Sequence, residues 1–430
     1  MPGAAHNLNL NRRTVWNFAA RLHDFTGFGQ ATKCLTTTFP WNGGVLQTPT
    51  FVNEFWTARQ RQASSLHEIS YRACFKPQLP RFFIEHLTRP GDVVYDPFMG
   101  RGTTPIEAAL LGRIPWGNDL NPLSLAFTQP RLQPPHQDQV EQRLSEMDWG
   151  WHAPVPEELL VFYHPETLRE LSALKRHFQQ TLSTPVAHLE NPVDAWLRLV
   201  ALNRLTGHSA GFFSVYTLPP NQAVSVAAQR RINARRRQTP PRREVAPLLL
   251  KKSRQLLGDV TETVRSTLRA MAAQARFTTG PAAATPALPD ASVALIVTSP
   301  PFLNVVQYAT DNWLRCWFLG IDPHSIKLTT PRKLADWAAA MTEVLRELHR
   351  VLQPGGFLAC EVGEVHGGKT RLEETVLPCG VAAGLDPVLV LINDQAFTKT
   401  ANCWGVNNMS KGTNTNRIVL FQKPGRAAAA

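Results

Sequence analysis

The chain has 430 residues, 43% hydrophobic and 18% charged, which excludes a disordered or fibrous protein and suffices for one large domain with an insertion or for two domains. Lysine and arginine number 45 against 33 aspartate and glutamate, and the resulting charge of +12 favours a polyanionic partner. Cys34, Cys74, Cys316, Cys360, Cys379 and Cys403 form no Cys-x-x-Cys pair, so no metal site or disulfide framework is expected, and the lack of a leader pattern or long apolar run points to a cytoplasmic protein.

In chain order, residues 82–87 carry helical apolar spacing, 92–95 are β-prone, 105–111 read as a helix closed by Gly112, and 114–117 begin a second strand. That is a βαβ unit. From about 132 to 285 the text is rich in Pro, Gln and Arg, with amphipathic helical stretches at 165–178 and 248–271 and few β-prone runs, as expected of an insertion. Regular α/β text resumes with a strand at 292–298, a helix at 334–352 stopped by Pro354-Gly355-Gly356, and strands at 357–362 and 416–422. Strands alternating with helices predict a mostly parallel sheet covered on both faces. The expected divisions are an N-terminal extension 1–59, a first catalytic half 60–131, the insertion 132–285, a second half 286–425 and a tail 426–430.

The run Asp96-Pro97-Phe98-Met99-Gly100-Arg101-Gly102-Thr103-Thr104 takes a strand through a glycine turn into a helix. Such a turn brings backbone close to a ligand and presents helix N-terminal amides. Asp119 ends the next predicted strand, where a carboxylate can take both hydroxyls of a ribose. With Tyr71, Phe75-Lys76-Pro77, Glu107-Ala108, Gly112-Arg113 and Asn121-Pro122, this text resembles the cofactor half of bacterial amino-group DNA methyltransferases. Arg101 stands where the family's familiar loop carries serine. The resemblance implies a Rossmann-like α/β fold with a seven-stranded mixed sheet and bound S-adenosylmethionine. It assigns the cofactor to Asp96, Pro97, Phe98, Gly100, Gly102, Thr103 and Thr104, with Asp119 on the ribose and Asn121 beside it. Residues near Tyr71 to Lys76 are implied to close over the methionine end.

Residues 295–302 form an apolar strand ending in Ser299-Pro300-Pro301-Phe302. The prolines fix φ and remove two donors, leaving rigid carbonyl acceptors. Methylating an exocyclic amine requires acceptors that orient its N–H groups and an aromatic face for the extruded base. Ser299 Oγ and the Pro300 carbonyl are the expected acceptors and Phe302 the stacking ring. The tetrad resembles the Asp/Asn/Ser-Pro-Pro-Tyr/Phe signature of the same family, in which serine in first place implies cytosine N4 and the alternative is adenine N6. Asn304 and Tyr308 are implied to line the base pocket. Pro378-Cys379 looks like the nucleophile pair of C5-cytosine enzymes but lies in helix-loop text away from the catalytic strand. The stretch 345–356 resembles a common methyltransferase helix and turn, with His349 read as solvated.

Between 229 and 254 lie Arg230, Arg231, Arg235, Arg236, Arg237, Arg242, Arg243, Lys251, Lys252 and Arg254 against the single acid Glu244. Such a concentration of charge suits phosphate neutralisation and counterion release, and the preceding 212–222 stretch offers aromatics and amides for base reading. A mostly helical target-recognition region on duplex DNA is expected here, between the two catalytic halves as in the family. The resemblance extends to a restriction-modification setting with a cognate restriction endonuclease. A catalytically inactive DNA-binding regulator on the same fold is the reading from another class.

Overall fold

A computed structural model describes residues 15, 17–41, 44–57, 63–71, 74–183, 191–217, 223–301, 308–323, 331, 333–365, 370–394 and 415–425. Its organising element is β6 (Val293–Thr298), a run of Val, Ala, Leu and Ile in which every residue is buried, as a parallel strand covered on both faces requires. On one side it pairs in parallel with β3 (Val93–Asp96), followed outward by β4 (Ile114–Asp119) and β5 (Arg276–Thr279). On the other side it pairs in parallel with β7 (Leu352–Val362). Antiparallel β11 (Thr415–Gln422) follows β7, then β10 (Asp386–Asp394). These seven strands are the expected mixed α/β sheet of Rossmann-like type. The chain moves outward from β3 to β4 and β5 and then returns to β6 on the opposite side. The gap between β3 and β6 is therefore the topological switch point, where ligands bind at strand C-termini.

The expectation of seven strands is exceeded. The hairpin β1 (Lys33–Trp41) and β2 (Gly44–Asn53) adds to the β10 edge and makes the sheet nine-stranded. Asn393 Oδ1 secures the return by accepting from the amides of Phe55 at 2.7 Å and Trp56 at 3.1 Å. A two-residue antiparallel ribbon, β8 (Glu364–Val365) with β9 (Thr370–Arg371), stands apart. The stretch expected as an insertion also contributes a strand, since β5 falls within it.

Between β4 and β5 the long elements among the described residues are helices, including Pro165–Ser183, Pro192–Arg204 and Val226–Arg236. The single helix predicted at 248–271 is two, Val245–Leu256 and Glu262–Ala272. Gly258 and Asp259 interrupt it, and Thr261 caps the second by accepting from the Val264 amide. The helical region is not a loose appendage. Its Leu171, Trp196, Leu199, Phe213 and Leu249 share one apolar core with Leu66, Ile69, Ile106 and Phe127 of the sheet domain. The helix Leu334–Val351 ends one residue before β7, so Pro354-Gly355-Gly356 lies inside the strand rather than acting as the stop.

Candidate active site

Asp96 closes β3 and Thr298 closes the neighbouring β6. The Thr298 hydroxyl donates to Asp96 Oδ1 at 2.6 Å, and the Phe98 amide donates to the same oxygen at 3.0 Å. Burial in this sheet edge pushes the Asp96 carboxyl up to about 7. The turn that follows places Gly100 and Gly102 at φ +51° and +78°, a left-handed geometry that glycine adopts without Cβ strain. At Gly102 a Cβ would also lie 2.2 Å from Thr128 Oγ1, so only glycine fits the packing. The helix Thr103–Leu110 begins there, and Thr104 Oγ1 ties it to β6 by donating to the Val297 carbonyl at 3.0 Å.

Asp119 ends β4 facing this turn. Its Oδ2 accepts from the Gly100 amide and its Oδ1 from the Asn121 amide, both at 2.8 Å, while burial pushes its carboxyl up. Asn121 Oδ1 accepts from Leu123, but its buried Nδ2 has no acceptor among the described residues. A buried amide donor beside a carboxylate and a glycine turn fits a ligand that brings hydroxyls and ring nitrogens. Pro97 is buried, with its carbonyl 3.4 Å from Asn118 Nδ2, and Phe98 is half-buried.

Arg101, the departure from the familiar loop, is 5% exposed and points inward. Its guanidinium donates to the carbonyls of Ile69 at 2.7 Å, His67 at 3.3 Å and Phe75 at 3.5 Å, and to Thr103 Oγ1 at 3.1 Å. It thereby fastens the strip containing Tyr71 to the glycine turn. Arg131 completes the arrangement, donating to the Leu66 carbonyl at 3.1 Å and to that of Arg101. Tyr71 is buried edge-on against Phe127, with its ring 3.6 Å from the position of a Cβ on Gly100; Lys76 is half-buried farther along the strip. Behind the turn, Glu107 is gripped by His67 Nε2 at 2.8 Å and Arg81 Nε at 3.0 Å.

Ser299 follows directly on Thr298, half-buried at the end of β6, where its side chain acts on the Glu361 carboxyl of β7 and draws it down against the push of burial. Pro300 is buried, and the Pro301 carbonyl accepts from Trp337 Nε1 at 3.0 Å, which stiffens the peptide beyond the serine. Phe302 and Asn304 lie outside the described residues, and Tyr308 opens the helix Tyr308–Leu319. Glu361 escaped the sequence reading because a lone acid in an apolar strand forms no motif; only strand register brings it beside Ser299.

The basic stretch divides. Arg230, Arg231, Arg235, Arg236 and Arg237 are exposed on or just after the helix Val226–Arg236, and the Arg236 guanidinium stacks 3.7 Å from the Tyr216 ring centre. Arg242 is instead paired with Glu166 and Glu170, the latter at 2.6 Å, and Arg243 is half-buried with its amide donating to Thr167 Oγ1. Counting only Glu244 as a nearby acid missed these partners, which come from a distant helix. Phe212 and Phe213, expected among base-reading aromatics, are core residues at 6% and 0% exposure, and 218–222 lie outside the described residues. Lys252 is also buried, 3.6 Å from Glu68. Cys379 sits within the helix Leu372–Ala382, its thiol donating to the carbonyls of Thr375 and Ala338 and pushed up by burial, the opposite of an activated nucleophile. His349 is half-buried rather than solvated, its carbonyl accepting from Lys423. Among the described residues no group of three or more His, Cys, Asp or Glu could hold a metal ion, and no helix is long and apolar enough to cross a membrane.

Residues 24–124 match the DNA methylase family model for N6 and N4 enzymes. That match takes in β1 to β4 and the glycine turn. Two curated relatives are similar over part of the same chain. The Type II methyltransferase M.MjaII of Methanocaldococcus jannaschii is 32% identical over 75 residues, 17% of this chain and 14% of its own length. The Type II methyltransferase M.MvaI of Kocuria varians is 30% identical over 97 residues, 22% of this chain and 20% of its own length. The matched stretch therefore spans less than a quarter of either relative. A solved structure of a candidate DNA modification methylase from Thermus thermophilus, complexed with S-adenosyl-L-methionine, is 23% identical, covers 35% of this chain and 56% of that chain, and has a TM-score of 0.22.

Proposed function

We propose that this chain is an S-adenosylmethionine-dependent DNA methyltransferase acting on an exocyclic amino group, with cytosine N4 as its target. The observation that carries the reading is the convergence of the glycine turn, Asp119 and Ser299 on the C-terminal edges of β3, β4 and β6 at the switch point. Support comes from the DNA methylase match over that turn and from the row of exposed arginines, which suits a phosphate backbone.

In this reading Asp119 turns from its backbone donors to the ribose hydroxyls, the Asn121 amide donates to the same ligand, and the amides of the turn through Phe98, Gly100, Gly102 and Thr103 lie along it. Tyr71 and Lys76, held by Arg101, cover its methionine end. When bound, S-adenosylmethionine supplies an electrophilic methyl group. Ser299 Oγ and the Pro300 carbonyl accept from the two N–H groups of the flipped base and aim the nitrogen lone pair, and Phe302 stacks on the ring. Serine at this first position supports cytosine N4 over adenine N6. Duplex DNA is held by Arg230, Arg231, Arg235, Arg236 and Arg237. The Type II designation of the two relatives supports a modifying role beside a cognate restriction endonuclease. Incubation with unmethylated DNA, followed by digestion to nucleosides and mass spectrometry, tests the target: N4-methylcytosine is expected, and N6-methyladenine alone would overturn the cytosine assignment.

A further inference from the structure

Strands β6 and β7 run side by side in parallel with Thr298 opposite Cys360. Ser299 is the residue after Thr298 and Glu361 the residue after Cys360, so the register carries the two toward each other just beyond the end of β6. Glu361 is 9% exposed in a strand whose neighbours Phe357, Leu358, Ala359, Cys360 and Val362 are all buried. Its carboxylate oxygen Oε1 accepts from Asn416 Nδ2 of β11 at 2.5 Å, and the Ser299 side chain is near enough to draw the carboxyl down. The adjacent cation, Arg417, turns to Glu373 instead at 2.5 Å. Among the described residues this buried carboxyl has neutral partners, an arrangement expensive to maintain, and glutamine would fill the same space and still accept from Asn416.

We infer that Glu361 is a positioning and relay residue behind Ser299, receiving through the serine hydroxyl the proton that the substrate amine must shed. This rests on the methyltransferase reading. As the amine lone pair forms the N–C bond, the C–S bond breaks with its electron pair going to sulfur, and the nitrogen becomes positively charged. An N–H proton then passes to Ser299 Oγ while the serine proton passes to the Glu361 carboxylate; the resulting carboxylic acid later returns its proton to water. Burial pushes the Glu361 carboxyl up to about 7, so that near neutral pH it exchanges readily between both forms. Among the described residues, the other titratable groups near it include Cys360 on its own strand, Asp96 beyond β6 through Thr298, and the Arg417–Glu373 pair on the β11 side.

The test compares the full chain with E361Q and E361D under single-turnover conditions on unmethylated bacteriophage DNA, with saturating S-adenosylmethionine, across about pH 5 to pH 9. Methylated nucleoside is quantified by mass spectrometry. The wild-type rate is expected to rise with pH through a midpoint near 7. E361Q is expected to lose roughly 100-fold or more in rate and to lose that midpoint, while E361D keeps the midpoint and part of the rate. Dissociation constants for cofactor and DNA should stay within about two-fold, since Asp96 rather than Glu361 borders the cofactor turn. A wild-type rate and pH profile in E361Q would overturn the relay, as would a slower E361Q that keeps the midpoint and merely melts earlier. A wild-type chain that methylates no amine would overturn the functional reading itself, an outcome distinct from either.

Discussion

Thr298 donates to Asp96 Oδ1 at 2.6 Å and thereby couples the end of the strand that carries Ser299 to the start of the glycine turn. The two stretches of sequence expected to form the catalytic domain meet in that bond. Because the Asp96 carboxyl is held up near 7 by burial, it binds its proton more tightly folded than unfolded.

A raised carboxyl of this kind contributes stability that is fully present below the unfolded value of about 4 and is lost as pH rises through the folded value near 7. Replacing Asp96 with Asn should make the fall in stability between those limits shallower by on the order of 4 kcal/mol, as measured by chemical unfolding at a series of pH values. An unchanged slope would mean that Asp96 does not titrate in this window. Glu361 should leave a residual slope, because its carboxyl is raised in the same direction.

Arg101 should behave as a strut for the strip that holds Tyr71. Arg101→Ser restores the family's familiar residue but strips donors from the buried carbonyls of His67 and Ile69. A loss of about 1–3 kcal/mol in stability is expected, with weaker cofactor binding and faster amide exchange along residues 67–75. Calorimetry and hydrogen exchange read the two effects; unaltered exchange in that strip would remove the strut role.

The arginines should separate into two classes. Neutralising Arg231 or Arg235, both exposed, should lower the salt dependence of DNA binding by about 0.9 in log–log slope for each phosphate that the variant no longer neutralises. Arg242→Ala should instead reduce thermal stability with little change in that slope, since its guanidinium is engaged by Glu166 and Glu170. Fluorescence anisotropy at several salt concentrations decides it.

The local features of the site were legible because they are contiguous: a strand, a glycine turn and a helix at 93–110, and an apolar strand running into Ser299-Pro300-Pro301. What sequence could not show depends on residues brought together from afar. The ion partners of Arg242 lie 72 and 76 residues away, and Glu361 comes near Ser299 only through the β6–β7 register. Strand β5 is four residues long and half-exposed, too short to stand out against helical text, and the β1–β2 hairpin finds its place only by pairing with β10. Phe212 and Phe213 looked available because composition does not distinguish an aromatic facing DNA from one facing a core.

Ser299 is the residue on which the proposed chemistry turns. The most direct measurement is Ser299→Ala in the full chain, assayed for N4-methylcytosine formation on unmethylated DNA and for S-adenosylmethionine binding by calorimetry. Turnover should fall by roughly 100-fold or more with the cofactor dissociation constant nearly unchanged. Undiminished N4-methylcytosine, or cofactor binding lost in proportion to activity, would contradict the role given to this serine.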